Sequence, residues 1–180
     1  MQSAEAAPLV IIKGPAGTAK TFYSLAAGLE KIVNAQEREY RRILVTRPNV
    51  QFDADIGFLP GSEQEKIAPF LRPVIDNLEA LVDRDESERY RDEFELSGKI
   101  DELFERGYIS TEALNFVRGR TITKTYIIID EAQNLTPKQA KGVVTRAGAG
   151  TKIIMLGDPQ QIDHPFSTSG RTASPTRAKR

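Results

Sequence analysis

Apolar residues fall along the chain in two rhythms. Short, unbroken, β-branched runs occur at Pro8–Lys13 (PLVIIK), Arg42–Thr46 (RILVT), Tyr126–Ile129 and Lys152–Leu156 (KIIML). Runs of this kind without alternation predict strands buried on both faces. Elsewhere the spacing is helical. From about Lys20, residues Phe22, Leu25, Ala26, Leu29, Ile32 and Val33 recur on one face. Ser62 with Glu65 forms a capping-box pattern that predicts a second helix start, and Pro69 and Pro73 are expected to break or kink that helix. Thr136, Pro137 and Gln139 supply an N-cap, a proline at the first helical position and a capping-box partner for another. Strands alternating with helices predict an α/β fold of three layers, with a parallel central sheet covered on both faces. No internal repeat is visible.

The 180 residues fit one domain. Residues 1–7 read as a flexible lead, 8–166 as the domain, and 167–180 as a small, polar, disordered tail. A helical, charged insertion is expected at about 62–118. There are 25 basic and 25 acidic side chains, so net charge gives no argument for a polyanionic partner. The distribution is uneven. Residues 76–105 hold twelve acids and four bases, whereas 167–180 hold four bases and no acid. Cysteine is absent, which excludes disulfides and thiolate metal sites, and the single His164 cannot build a zinc site alone. No apolar run approaches membrane-spanning length and no signal-peptide core is present, so a cytoplasmic protein with no membrane partner is expected.

Chemistry enters at the first strand-to-helix turn. Gly14, Pro15, Ala16, Gly17, Thr18, Ala19, Lys20 and Thr21 follow the phosphate-loop pattern G-x-x-x-x-G-K-[ST] between a strand and a helix. Small residues let backbone N–H groups close around a phosphate at a helix N-terminus. Lys20 would reach the β- and γ-phosphates of ATP, and the Thr21 hydroxyl would ligate Mg²⁺, with Phe22 completing the binding segment. Position 19 departs from the pattern: it is alanine where glycine is usual. Because the residue adjoins the helix, a negative φ is expected there, which alanine tolerates.

Asp130 and Glu131 end the run Tyr126–Ile129. A carboxylate at the C-terminal end of a central strand lies beside the phosphate loop in such sheets. Asp130 is thus the candidate Mg²⁺ partner and Glu131 the candidate general base. The run Lys152–Leu156 ends in Gly157-Asp158-Pro159-Gln160-Gln161. Gln161 is placed to sense the γ-phosphate, and Asp158 to hold the turn or a metal-bound water.

Taken together, GPAGTAKT, VTRPN (45–49), IGFLPG (56–61), EKIAPFLRP (65–73), RGRTI (118–122), IIIDEAQNLTP (127–137) and GDPQQID (157–163) resemble the PhoH-like ATPases from about residue 8 to 165. The resemblance implies a RecA-like core related to the first motor domain of superfamily 1 helicases, with DEAQ and GDPQQ as its second and third motifs. It implies Mg²⁺-dependent ATP hydrolysis, linked in some members to RNA. Several members carry an N-terminal PIN nuclease domain, and none is expected here. Family members also continue past the QID segment, so the chain reads as a minimal form, such as a phage would carry, or as one whose end has diverged.

Phosphoryl transfer calls for positive charge on the γ-phosphate. Arg47, Arg118, Arg120 and Arg146 are the candidates for an arginine finger or a nucleic-acid contact. A helicase supplies its finger from a second motor domain; here a neighbouring copy would supply it, and the resemblance implies a homo-oligomeric ring, a hexamer. Thr46, Arg47 and Asn49 stand where helicases contact a single strand, and Phe52 and Phe58 are suited to stacking on bases or to packing. Two other readings stay open: a P-loop kinase, and a nucleotide-binding assembly module with little turnover.

Overall fold

The computed structural model describes residues 8–34, 39–48, 63–83, 93–112, 114 and 121–161. Among these, the apolar runs become strands β1 (Leu9–Lys13), β2 (Arg42–Thr46), β4 (Thr125–Ile129) and β5 (Lys152–Gly157). A short strand, β3 (Ile109–Thr111), which the apolar pattern did not announce, joins them. All five are parallel, in the order β1-β5-β4-β2-β3. β4 lies between β5 and β2 and is buried at every position, as its unbroken run of isoleucines requires.

Helix α1 (Lys20–Leu29) follows the glycine-rich turn and passes into a π-helical turn at Glu30–Asn34. Helices α2 (Glu63–Val82) and α3 (Glu93–Glu105) lie within the charged insertion. On one face of the sheet, Leu25, Ile32, Val74, Leu78, Ile100 and Leu103 from these helices close over Ile43, Val45, Tyr126, Ile128, Ile154 and Leu156. On the other face, Val143 of α4 (Pro137–Val144) packs with Leu44, Ile127, Ile129, Ile153 and Met155. Alternate residues of the same strands feed the two cores, which gives the three layers expected.

One sequence expectation is corrected, and a second in part. β1 is not buried on both faces: Leu9 is 38% exposed, Ile11 63% and Ile12 36%. Among the described residues it is an edge strand paired with β5 alone. An apolar run records tolerance of burial, not the strand's place in the sheet. Nor do Pro69 and Pro73 break α2, which runs through both positions. Each proline removes one helical N–H donor, but the turns after Pro73 are fixed from outside the helix, with Val74 and Leu78 buried in the core. Ser62, Asn49, Phe52, Phe58, His164, the lead and the tail lie outside the described residues. The capping box of α4 forms as expected, with Thr136 Oγ1 accepting from Gln139 N and Gln139 Oε1 accepting from Thr136 N.

Candidate active site

In a parallel sheet every strand's carboxyl end points the same way, so the loops after β1, β2, β4 and β5 gather at one edge. The loop after β1 is tied to the end of β5 by Gly14 N donating to Gly157 O at 3.1 Å. Gly17 takes φ +75° and Ala19 takes φ 54°, ψ 27° before the chain enters α1. The negative φ expected at Ala19 is therefore corrected. Residue 19 is the N-cap of α1 and holds a left-handed conformation, without a side-chain cap. The usual glycine at this position answers that torsion, and alanine adopts it against the crowding of its own Cβ.

Lys20 is folded back over its own loop. Its ammonium donates to Gly14 O at 2.8 Å, Pro15 O at 2.6 Å and Thr18 Oγ1 at 3.4 Å. Three donors on a flexible stem can exchange these oxygens for phosphate oxygens. Beside it, Thr21 Oγ1 donates to Asp130 Oδ1 at 3.3 Å, joining α1 to the end of β4. Burial pushes the Asp130 carboxyl above its ordinary value, and the charge of Glu131 adds to this. The Arg47 guanidinium and hydrogen bonds from Glu131 N and Thr21 pull the other way. A hydroxyl beside a carboxylate that burial makes costly to ionise is a hard-oxygen pair suited to a small divalent cation, which takes one or two protein ligands and leaves the rest to water and phosphate.

Glu131 also has a positive φ, 53°. Its Oε1 accepts from Arg47 Nη2 at 2.8 Å and its Oε2 from Gln133 Nε2 at 2.6 Å. Gln133 continues the chain: its Oε1 accepts from Asp158 N at 3.1 Å. The buried Asp158 carboxylate then accepts from Ala16 N of the phosphate loop at 3.2 Å and from Gln160 N at 2.9 Å. A Cβ at Gly157 would lie 2.8 Å from Gln133 Oε1, so the glycine leaves room for this link.

An open cavity of about 240 Å³ lies among these groups. It is lined by Ala16, Gly17, Thr18, Ala19, Lys20, Thr21, Phe22, Asp130, Glu131, Asp158 and Gln161 from the sequence-based set, and also by Asn77 and Gly157. Of the candidate arginines, Arg47 and Arg146 are not brought together. Arg47 is bonded to Glu131 and is not among the lining residues. Arg146 is exposed and accepts from Ile122 N through its carbonyl, at the end of the sheet where β4 and β5 begin, away from the phosphate loop. Arg118 and Arg120 lie outside the described residues. Sequence reasoning assigned no role to Gln133, although it stands in the DEAQ block, or to Asn77. Gln133's part depends on a tertiary neighbour that spacing does not reveal, and Asn77 carries no motif.

The phosphate loop, the paired acids after β4 and the Gly-Asp turn after β5 thus converge on one cavity, and comparison with known proteins settles their family. A family model described as PhoH-like protein matches residues 1–179. The chain belongs to the PhoH family. It is 44% identical over 163 residues to the protein PhoH2 of Bacillus subtilis (strain 168), an overlap covering 90% of this chain and 34% of that protein. It is 41% identical over 167 residues to a PhoH-like protein of Synechocystis, covering 92% of this chain and 46% of the relative. The chain thus spans less than half the length of these PhoH relatives. The expected α/β P-loop fold stands, and among the described residues no helix is long and apolar enough to cross a membrane.

Proposed function

We propose that this PhoH-family chain hydrolyses ATP with Mg²⁺ and couples turnover to remodelling of RNA or another single-stranded nucleic acid. The observation that carries the reading is the convergence of Lys20, Thr21, Asp130 and Glu131 on one open polar cavity behind a phosphate loop. Loop amides and Lys20 bind the phosphates. Thr21 and Asp130 would hold Mg²⁺, which offsets phosphate charge. Glu131 orients a water and takes its proton as the water oxygen bonds to the γ-phosphorus. The bond from that phosphorus to the β,γ-bridging oxygen breaks, and its electron pair leaves on ADP. Gln161 contacts the γ-phosphate, and Asp158 holds the turn that carries it. The chain works as a homo-oligomeric ring, a hexamer, in which a neighbouring copy supplies an arginine.

The test is phosphate release from ATP and Mg²⁺, with and without single-stranded RNA and DNA. Lys20→Ala should abolish release, and Glu131→Gln should lower it by about 10²–10⁴-fold, the usual worth of a general base. ADP formation that needs an added small-molecule acceptor, with the phosphoryl group found on that acceptor and not released, would replace this reading with a kinase. ATP binding with no release by the intact chain would replace it with an assembly module.

A further inference from the structure

The ion pair between Arg47 and Glu131 raises a question that the hydrolysis reading leaves open. Both oxygens of the Glu131 carboxylate are engaged, one by the Arg47 guanidinium at 2.8 Å and the other by Gln133 at 2.6 Å. A water proton must compete with a fixed cation for Oε1. Glu131 lines the nucleotide cavity whereas Arg47 does not. Arg47 holds this carboxylate from outside the cavity lining, so it can be addressed by something other than the nucleotide bound there. Its side chain is 37% exposed.

We propose that Arg47 is a catch on Glu131 that the phosphodiester backbone of a single-stranded nucleic acid releases. The inference rests on Glu131 being the water-orienting carboxylate. A guanidinium binds phosphate and carboxylate through the same two-pronged geometry, so a phosphodiester can take the place of Glu131 on Arg47. Because the guanidinium is only partly exposed, a flexible single strand can bend a phosphate onto it, whereas a duplex, stiff over about 150 base pairs, cannot. The chain carries no net charge to draw polyanions in, so the exchange depends on this local contact and weakens with salt.

The same residues bind the event to the nucleotide. Ala16 N, the Asp158 carboxylate, Asp158 N, Gln133, Glu131 and Arg47 form one unbroken hydrogen-bonded chain from the phosphate loop to the exposed guanidinium. A ligand at either end acts on Glu131, and the coupling of the two affinities is reciprocal by linkage.

The experiment compares wild type, Arg47→Ala and Arg47→Lys by phosphate release, each with no polymer, single-stranded RNA or DNA, duplex DNA, and inorganic polyphosphate. Melting curves confirm that each variant is folded. Wild type should show a low basal rate raised by single strands about 5–150-fold, the usual range of such couplings. Arg47→Ala should show a raised basal rate and no stimulation, and Arg47→Lys an intermediate of both. A lowered basal rate in Arg47→Ala with the stimulation ratio intact would overturn the catch and make Arg47 a support for Glu131. Equal stimulation of wild type by polyphosphate or duplex would overturn the single-strand assignment. A second readout needs no turnover: affinity for a fluorescent non-hydrolysable ATP analogue should shift with single-stranded RNA in wild type and not in Arg47→Ala, and the absence of that shift in wild type would overturn the coupling. Full activity in Glu131→Gln would sink the underlying assignment of Glu131, separately from any result at Arg47.

Discussion

Ala19 holds φ 54° and ψ 27°, a conformation in which an L side chain crowds the following carbonyl at roughly 1–2 kcal/mol. Glycine would remove that crowding but would loosen the unfolded chain by roughly 0.4–1 kcal/mol. The first effect is larger, so Ala19→Gly should stabilise the protein by about 0.5–1 kcal/mol and raise its melting temperature by about 1–4 °C. Thermal unfolding without ligand measures this, and a melting temperature that stays level or falls would show that the loop carries no such strain. The phosphate loop was legible as a pattern, but a pattern specifies residue types and not torsions, which is why the sign of φ at residue 19 was misjudged. Glu131 and Asp130 were legible for the opposite reason. Their place beside the phosphate loop follows from standing at the end of a buried strand, and the isoleucines before them announced that strand. Gln133 was not legible, because its role lies in two partners that only the folded chain brings within reach.

Among the elements, α1 sits close to the sheet because Gly28 has no side chain. A Cβ there would lie 2.9 Å from Ile43 Cδ1 and 3.0 Å from Tyr126 Cδ1. Tyr126 has little freedom to yield: it is buried and stacked edge-on with Tyr40, ring centres 5.4 Å apart. Alanine would gain about 1 kcal/mol of helix propensity and lose about 1–3 kcal/mol to overpacking. Gly28→Ala should therefore destabilise by about 1 kcal/mol. Gly98, inside α3, has open space where its Cβ would stand, so Gly98→Ala should stabilise by about 0.5–1 kcal/mol. Urea unfolding of both variants checks the pair, and shifts of the same sign would refute this account of α1 packing. β2, β4, β5, α1 and α4 were readable because each buries a periodic or continuous apolar stretch or carries a cap. β3 was not: Ile109–Thr111 is three residues long, and its pairing with β2 is set by the helices that deliver it.

At the scale of the whole molecule, the cavity beside the phosphate loop has an electrostatic gap for the proposed reaction. Among the described residues no arginine lines it, Arg47 is committed to Glu131, and the exposed Arg146 stands at the opposite end of the sheet. A charge at that end can serve a cavity at the carboxyl end only if copies meet head to tail, and a head-to-tail contact closes into a ring when the rotation allows. Of the four arginines singled out from the sequence, Arg146 is thus the described one left to act on a neighbour. Arg146→Ala should then lower the turnover number by at least about tenfold while nucleotide affinity holds, since arginine fingers are worth about 10³–10⁵ in related phosphoryl transfers. Lys20→Ala has an inactive site but an intact Arg146, so mixing the two variants should restore activity in shared interfaces. Light scattering with a non-hydrolysable ATP analogue should report a mass several times that of the 20.0 kDa chain. Among the described residues β1 is an edge strand, and that edge is a competing source of association, since unpaired apolar edges recruit other strands. Ile11→Lys tells the two apart: it should suppress association through β1 and leave a head-to-tail ring intact. A monomer under every nucleotide condition, or mixtures no more active than their parts, would mean that the γ-phosphate charge is met within one chain.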